Sequence, residues 1–213
     1  MARELKPYQL IERTVIKTYR KELWNPFIQG VKNHKLVCDG DKIRIELENT
    51  AESMLLAKLM QQLKRVSNTE FELVITGEED CLKNAELLNI PLSDSADGCN
   101  KFAVCDTLTD VCEEVLEGLF YDGVIKAPLP CENELIRPLY CVSRNAVNKW
   151  TKLNSLEFSK RESKRKTADI LIKLKKQNGD IENNILNSLS ALCLDTMPGY
   201  TENGIHRSFL ENY

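Results

Sequence analysis

Residues 41–58 contain two successive patterns of hydrophobic and polar positions. In the first, Ile43, Ile45 and Leu47 alternate with charged residues, as in a β-strand. In the second, residues 54–59 carry methionine and leucine at the spacing of a buried helix. A strand, a short turn and a helix in this order predict the opening unit of an α/β domain.

The apolar patterns that follow predict further strands in alternation with helices. Strands are expected at residues 71–76, 100–107 and 134–142, and helices at residues 80–91, 109–123 and 143–156. Elements that alternate in this way favour a parallel sheet with helices on both faces. The predicted fold class is therefore a doubly wound α/β domain with about four strands.

The helix expected at residues 109–123 has an apolar face and an acidic face. The side chains expected to point inward are Val111, Val115, Leu116, Leu119 and Phe120, and those expected to point outward are Glu113, Glu114 and Glu117. Gly118 or Gly123 is expected near its end. The next helix, at residues 143–156, has Ser143 as its expected N-terminal cap.

Helical additions are predicted on both sides of this domain. Residues 8–31 predict two helical pieces that break near Pro26, because proline fits poorly inside a helix. The C-terminal part predicts a basic amphipathic helix at residues 160–176 and a second helix at residues 181–192. The chain is accordingly divided into a helical extension (1–37), an α/β domain (38–158) and a C-terminal helical region (159–213).

Composition suggests where such a protein works. The 213 residues are 42% hydrophobic and 29% charged, which is ordinary for a globular protein. The sequence has no apolar run near the roughly 20 residues that a membrane helix needs. Its charged N-terminus lacks the apolar core of a signal peptide. We therefore expect a cytoplasmic protein without a membrane partner.

The net charge of −3 is distributed unevenly. Residues 70–122 hold fourteen carboxylates against two lysines, whereas residues 160–176 hold eight basic residues against two acidic ones. Cations on one helix neutralise phosphates, so five side chains in the second stretch are candidates for RNA binding. They are Lys160, Arg161, Lys164, Arg165 and Lys166. A solvated helix face is the alternative, because few aromatic side chains are interleaved to stack on bases.

The eight cysteines are expected to be reduced, partly buried thiols, since most lie in apolar patterns and no C-x-x-C occurs. A cluster of Cys99, Cys105 and Cys112 is conceivable. Its spacings of six and seven residues differ from those of the usual zinc and iron–sulfur ligand runs. We therefore expect no metal site.

The turn between the first strand and helix is the usual phosphate-binding position of an α/β domain. There, glycines let backbone N–H groups and the helix N-terminus close on the anion. In this chain the turn consists of Glu48, Asn49, Thr50, Ala51, Glu52 and Ser53. It contains no glycine and two carboxylates.

With its flanks, this turn resembles the PP-loop of the tRNA 2-thiocytidine synthetase family. These ATP pyrophosphatases adenylate a cytidine and replace its oxygen with sulfur. The family's S-G-G-x-D-S loop matches residues 48–53, where Ser53 is retained and Glu52 is a conservative replacement. The resemblance therefore implies a degenerate member of the family.

The resemblance extends over much of the chain. Residues 100–123 resemble the family's A-L-G-H-H-x-D-D-x-x-E-T segment, and the residues at its motif positions are Asp106, Thr107, Thr109, Asp110 and Glu113. Residues 134–147 resemble its I-R-P-L segment and keep Arg137 and Pro138. The implied fold is a truncated, doubly wound sheet of the PP-loop, or adenine nucleotide alpha hydrolase-like, type. Homodimerisation is also implied.

Several parts of the family's chemistry have no counterpart. The segment with the C-x-x-C and a crossover helix is missing between Leu92 and Gly98. Replacing glycines puts Cβ atoms where backbone should approach phosphate. Glu48 adds a like charge, which costs roughly 4 kcal/mol per pair at 4 Å and an effective dielectric near 20. Neither ATP with Mg²⁺ nor an iron–sulfur cluster is expected as a cofactor.

Three residues remain through which a nucleotide could still be bound: Ser53, Asp110 and Arg137. Asp110 also suits the first turn of a helix, where an acid complements the helix dipole. Arg137 fits either a phosphate or a carboxylate partner, and the sequence leaves both open.

These observations lead to the hypothesis of a pseudoenzyme without catalytic residues. It would be related to ATP-dependent tRNA 2-thiolation enzymes and would act by binding RNA or a protein, such as an active paralogue. The alternative is an enzyme of altered chemistry in tRNA modification that still binds a nucleotide through Ser53, Asp110 and Arg137.

Overall fold

A computed structural model describes residues 5–161, 163, 165–191, 193 and 197–209. Its central sheet contains β1 (Lys42–Leu47), β2 (Glu72–Gly77), β3 (Lys101–Ala103), β4 (Cys131–Glu132) and β5 (Leu135–Ile136). The strand order is β2-β1-β3-β5-β4, and every neighbouring pair is parallel except β5 and β4. The predicted α/β class with four parallel strands is confirmed, and a short antiparallel strand is added at the edge.

The helices follow the predicted alternation with the strands. They are α1 (Pro7–Arg13), α2 (Asn25–Asn33), α3 (Ala51–Val66), α4 (Glu79–Leu87), α5 (Leu108–Glu117), α6 (Arg144–Leu153), α7 (Ala168–Gln177) and α8 (Ile181–Ser190). Three π-helical segments occur at Thr14–Thr18, Arg20–Trp24 and Gly118–Asp122. A C-terminal hairpin, β6 (Gly199–Glu202) and β7 (Ile205–Ser208), was not predicted from the sequence.

The two faces of the sheet differ at β1 and β2. On one face Ile43, Ile45 and Leu47 are buried, and α3 packs against both strands. The other face carries two partly solvent-exposed ion pairs, Arg44 with Glu46 at 3.1 Å and Lys42 with Glu72 at 4.0 Å. The prediction of helices on both faces is wrong here. The connection from α4 to β3 contains no helix, and residues 92–99 form no strand.

The N-terminal helices pack into the same core as the sheet. Leu23 and Phe27 are fully buried in the same hydrophobic cluster as side chains of α3 and β1. The predicted break at Pro26 lies instead at Tyr19, where φ is −101° and ψ is 25° between the two π-helical segments. Pro26 is in the first turn of α2, where a helix tolerates the missing N–H.

The acidic helix α5 deviates from its predicted faces after Glu117. Val111, Val115 and Leu116 are buried as predicted, and Leu119 and Phe120 are 46% and 56% exposed. Their predicted orientation is wrong because the wider π-helical turn Gly118–Asp122 changes the angular spacing of the side chains. Gly123 then ends the segment at φ 65°. An added Cβ at Gly118 would lie 2.6 Å from the Val124 carbonyl oxygen.

The basic stretch at residues 160–176 is only partly helical. Helix α7 begins at Ala168, and the described residues before it (159–161, 163 and 165–167) form a strap without helical structure. The predicted helix at residues 160–176 is therefore too long at its N-terminal end. The helix predicted at residues 181–192 ends at Ser190, and position 192 lies outside the described residues.

Candidate functional site

The turn between β1 and α3 is closed by its own side chains. The hydroxyl of Ser53 accepts a hydrogen bond from the backbone N–H of Glu48 at 3.0 Å. The hydroxyl of Thr50 in turn accepts one from the N–H of Ser53 at 3.4 Å, which caps α3. Ser53 is only 1% exposed. Ser53, which matches the last serine of the S-G-G-x-D-S pattern, thus has a structural partner inside the turn.

The strap crosses this turn. The N–H of Ser159 donates to the carbonyl of Asn49 at 2.8 Å, and Thr50 and Ser159 form a parallel bridge. Asn84 of α4 holds the same turn from the other side, through a 2.8 Å hydrogen bond to the Asn49 side chain. The turn is therefore fixed between α4 and the strap.

Arg161 of the strap reaches over the end of β3. Its guanidinium donates to the carbonyl of Cys105 at 3.0 Å and to the carboxylate of Asp106 at 2.9 Å, and it lies 3.6 Å from Asp110. In open α/β sheets, ligands bind beyond the carboxyl ends of the strands. Here a cation of the chain itself occupies that position.

Arg144, at the start of α6, joins the buried carboxylates of Glu52 and Glu113 and the partly buried carboxylate of Asp110. Its guanidinium lies 2.7 Å from Asp110, 3.0 Å from Glu113 and 3.7 Å from Glu52. Burial raises the pKa of Glu52, although the charges of Arg144 and Arg161 oppose the change. Burial also acts to raise the pKa of Asp110. Arg144 and hydrogen bonds from Thr107 outweigh it, so that pKa lies below its usual value.

Asp110 and Glu113 both lie on the side of α5 that faces Arg144. Asp110 accepts hydrogen bonds from the N–H and hydroxyl of Thr107, so it caps the first turn of α5 as well as pairing with Arg144. Glu113 is 3% exposed, and its predicted outward orientation is wrong. Its carboxylate accepts hydrogen bonds from Arg144 at 3.0 Å and Ser163 at 2.6 Å.

Arg137 is paired with a carboxylate. It donates to Asp106 at 3.2 Å and to the carbonyl of Leu129 at 2.7 Å. Asp106 therefore bridges Arg137 and Arg161. Among the described residues no hydrogen bond or ion pair joins Ser53 to Arg137, so the predicted nucleotide-binding residues are not brought into one contact set.

The candidate RNA-binding residues have different surroundings. Arg165 pairs with Glu114 at 2.7 Å and with Glu117 at 3.7 Å, and Lys166 lies 5.3 Å from the ring centre of Tyr121. Lys160 is exposed, and Lys164 lies outside the described residues. RNA binding by this stretch stays a prediction.

Three residues of this network were missed at the sequence level: Asp106 as a bridge, and Arg144 and Arg161 as its cations. One usable signal was the spacing of Asp110 and Glu113, which puts both acids on one helix face and requires a cation nearby once that face is buried.

A cavity of about 310 Å³ remains beside the turn, lined by Glu46, Glu48, Ser53, Phe102 and Arg161 among others. Across the described residues, no group of three or more His, Cys, Asp or Glu is arranged to hold a metal ion.

Seven cysteines are free thiols, and three of these, Cys81, Cys105 and Cys112, are buried. Burial raises the pKa of Cys81 to about 11 and the pKa values of Cys105 and Cys112 to about 12. We expect iodoacetamide at pH 8 to label the exposed Cys38 in the folded protein and to reach these three thiols only after unfolding, because the thiolate is the nucleophile. Mass spectrometry of the labelled peptides measures this. Rapid labelling of Cys105 in the folded protein would contradict the buried position of its thiol.

Comparison with known proteins supplies a fold relationship. No protein-family model matches the sequence, and no curated protein is similar to it. Among solved structures, the chain is similar to the U34-tRNA thiolase NcsA from Methanococcus maripaludis, described with its [4Fe-4S] cluster. The TM-score is 0.59 at 14% identity, and the match covers 84% of this chain and 80% of the thiolase. The protein therefore has the fold of this thiolase. In the described part of the chain, no helix has the length and apolar character to cross a membrane.

Proposed function

We propose that this protein is a non-catalytic, cytoplasmic relative of the tRNA thiolation enzymes, descended from the tRNA 2-thiocytidine synthetase branch, and that it acts by binding RNA. The observation that carries the proposal is the insertion of Arg161 over the end of β3, where it pairs with Asp106 and Asp110. The similarity to the thiolase NcsA supports the relationship at the level of the fold.

The charges around the turn oppose a triphosphate. To reach the N-terminus of α3, a triphosphate would have to pass Glu48 and displace Arg161 from Asp106 and Asp110. Asp106 and Asp110 would lose the charge of Arg161 and would then face a triphosphate of the same sign in a partly buried site. The first turn of α3 also presents the carboxylate of Glu52, which is 4% exposed. These arrangements favour a structural use of the site.

A protein partner is the second candidate. The segment after α5 exposes large apolar side chains, each between 46% and 57% accessible: Leu119, Phe120, Tyr121, Val124, Ile125 and Leu129. Apolar side chains concentrated in this way are typical of protein interaction sites. An active paralogue or a second copy of this chain would suit such a surface.

Titration calorimetry with Mg-ATP tests the loss of nucleotide chemistry. For the full chain we expect no saturable binding with a dissociation constant below about 1 mM, the value that corresponds to a binding free energy of about −4 kcal/mol. The variant Arg161→Ala should also be silent, because the turn still lacks glycine and keeps Glu48. A thiolase with an intact S-G-G-x-D-S loop is the positive control.

Two outcomes would contradict the proposal. Micromolar binding that Ser53→Ala abolishes would favour the alternative, an enzyme of altered chemistry that binds a nucleotide through Ser53. Binding that appears only in Arg161→Ala would show a functional site beneath the strap.

A further inference from the structure

A second cavity, of about 710 Å³, is lined by residues of α6 and α7, Arg144 among them. This volume is within the range of small-molecule sites in proteins. Its walls come from α5, α6, α7 and the strap. It shares Arg144, Glu113 and Ser163 with the network described above, whereas Asn145, Asn148 and Lys176 lie outside that network.

The walls of the cavity are held in place by buried polar contacts. Thr109 donates to Glu182 at 2.5 Å and accepts from the N–H of Arg144 at 3.0 Å. Lys175 pairs with the same Glu182 at 2.8 Å. These contacts join α5, α6, α7 and α8, so the shape of the cavity is built into the packing of the helices.

One cation of the lining is free of carboxylate partners among the described residues and is available to an anion. Arg144, Lys175 and Lys176 contribute three cations, and Glu113 is the one acid among the lining residues. Glu113 is 3% exposed and already accepts hydrogen bonds from Arg144 and Ser163. Lys176 is exposed and has no ion pair with a described residue. Arg144 is paired with three carboxylates and Lys175 with Glu182, so the unpaired positive charge that an entering ligand meets is that of Lys176.

The uncharged part of the lining fits a planar, polar-edged group. Asn145 and Asn148 lie three residues apart on one face of α6, are exposed, and make no side-chain hydrogen bond with a described residue. An amide side chain offers a donor and an acceptor together, which matches the edge of a nucleobase. On α7, Ile172 is 53% exposed and supplies an apolar surface, whereas Leu171 beside it is buried.

We propose that this cavity binds a nucleoside 5′-monophosphate, with the phosphate at Lys176 and the base edge at Asn145 and Asn148. The nucleotide could be free or one unit of a single-stranded RNA. For the RNA source the inference rests on the proposed function, whereas for the free nucleotide it stands independently.

The test is calorimetric titration of the full chain with the four nucleoside 5′-monophosphates, uridine and inorganic phosphate. We expect at least one monophosphate to bind at least tenfold more tightly than uridine or phosphate alone. The charge reversal Lys176→Glu should weaken that binding about tenfold, the factor that 1.4 kcal/mol produces. Lys173→Glu is the matched control, because Lys173 is an exposed lysine of the same helix outside the cavity lining.

Each outcome bears on the proposal. It is overturned if no monophosphate saturates below 5 mM, or if both lysine variants lose binding equally, which would indicate diffuse charge attraction. Binding that Ser53→Ala weakens and Lys176→Glu does not would place the nucleotide in the turn, contradicting both this inference and the proposed function.

A labelled ten-residue oligouridine separates the two ligand sources. Competition between this RNA and UMP, with loss in Lys176→Glu, would identify an RNA nucleotide as the ligand. Monophosphate binding without RNA binding would keep the cavity as a free-nucleotide site and remove RNA binding from the proposed function. Circular dichroism melting confirms that the exposed lysine variants remain folded.

Discussion

Replacing Arg144 with methionine should lower the free energy of unfolding by about 3–5 kcal/mol, the usual cost of removing one partner from a buried ion pair. Arg144 is 18% exposed, and its partners Glu52, Asp110 and Glu113 are 5%, 15% and 3% exposed. Without the guanidinium, three carboxylates remain in a site with little water. Urea unfolding monitored by circular dichroism measures the loss.

The matched control is Lys149→Met, five residues further along α6. Lys149 pairs with Glu22 at 3.1 Å, but both side chains are more than 40% exposed. Such a surface pair contributes less than about 1 kcal/mol. Equal losses in the two variants would contradict the view that the carboxylates around Arg144 need a buried cation.

The pH dependence separates lost charge from lost packing. In Arg144→Met the buried carboxylates of the folded state take up protons more readily than those of the unfolded chain. The free energy of unfolding of this variant then falls as the pH rises through the range in which these carboxylates lose their protons. The deficit relative to the wild type should therefore shrink as pH is lowered from 7 to 5. A deficit that is constant over this range would point to packing alone.

The sequence contained enough information to predict the fold class, and one signal in it was not used. The alternation of Ile43, Ile45 and Leu47 with charged residues is typical of a strand with one solvated face, whereas strands covered on both faces are nearly continuous hydrophobic runs. The structure shows this solvated face, with Arg44 and Glu46 paired on it. The connection at residues 88–100 contains no helix, which is consistent with the charged positions of β1.

The candidate site was predictable only where it is local in the chain. The absence of glycine in residues 48–53 is visible in the sequence. Arg161 and its partner Asp106 are 55 residues apart in the sequence, and Arg144 and its partner Asp110 are 34 residues apart. The periodicity of hydrophobic and polar residues does not predict pairs at such distances. The same long-range pairs explain why the basic stretch is not one helix: Arg161 and Arg165 bind acids beyond β3 and on α5, which an extended strap can reach.

Removing the carboxylate of Glu12 should be the second large perturbation, with a loss of about 3 kcal/mol in the free energy of unfolding. Lys58 of α3 is 2% exposed and donates hydrogen bonds to Glu12 at 2.6 Å, to Gln61 at 3.0 Å and to the carbonyl of Leu88 at 2.8 Å. In Glu12→Ala the ammonium keeps its neutral acceptors and loses its only counter-charge among the described residues within 4 Å. The loss should appear in urea unfolding.

Arg65→Ala is the control, because Arg65 contacts the same carboxylate at 3.1 Å but is 50% exposed. Its removal should cost less than about 1 kcal/mol. If Arg65→Ala proved as damaging as Glu12→Ala, the important partner of Glu12 would be the surface arginine and not the buried lysine.

The pH dependence of Glu12→Ala should have the opposite sign to that of Arg144→Met. Burial already lowers the pKa of Lys58, and the hydrogen bond and charge of Glu12 oppose that change. Without Glu12, the folded state releases the Lys58 proton at a lower pH than the unfolded chain does. Stability rises with pH wherever the unfolded state binds more protons. The deficit of Glu12→Ala should therefore shrink from pH 7 to pH 9. A packing defect does not make the stability deficit depend on pH. Deficits that change with pH in opposite directions in the two variants would therefore assign both losses to charge.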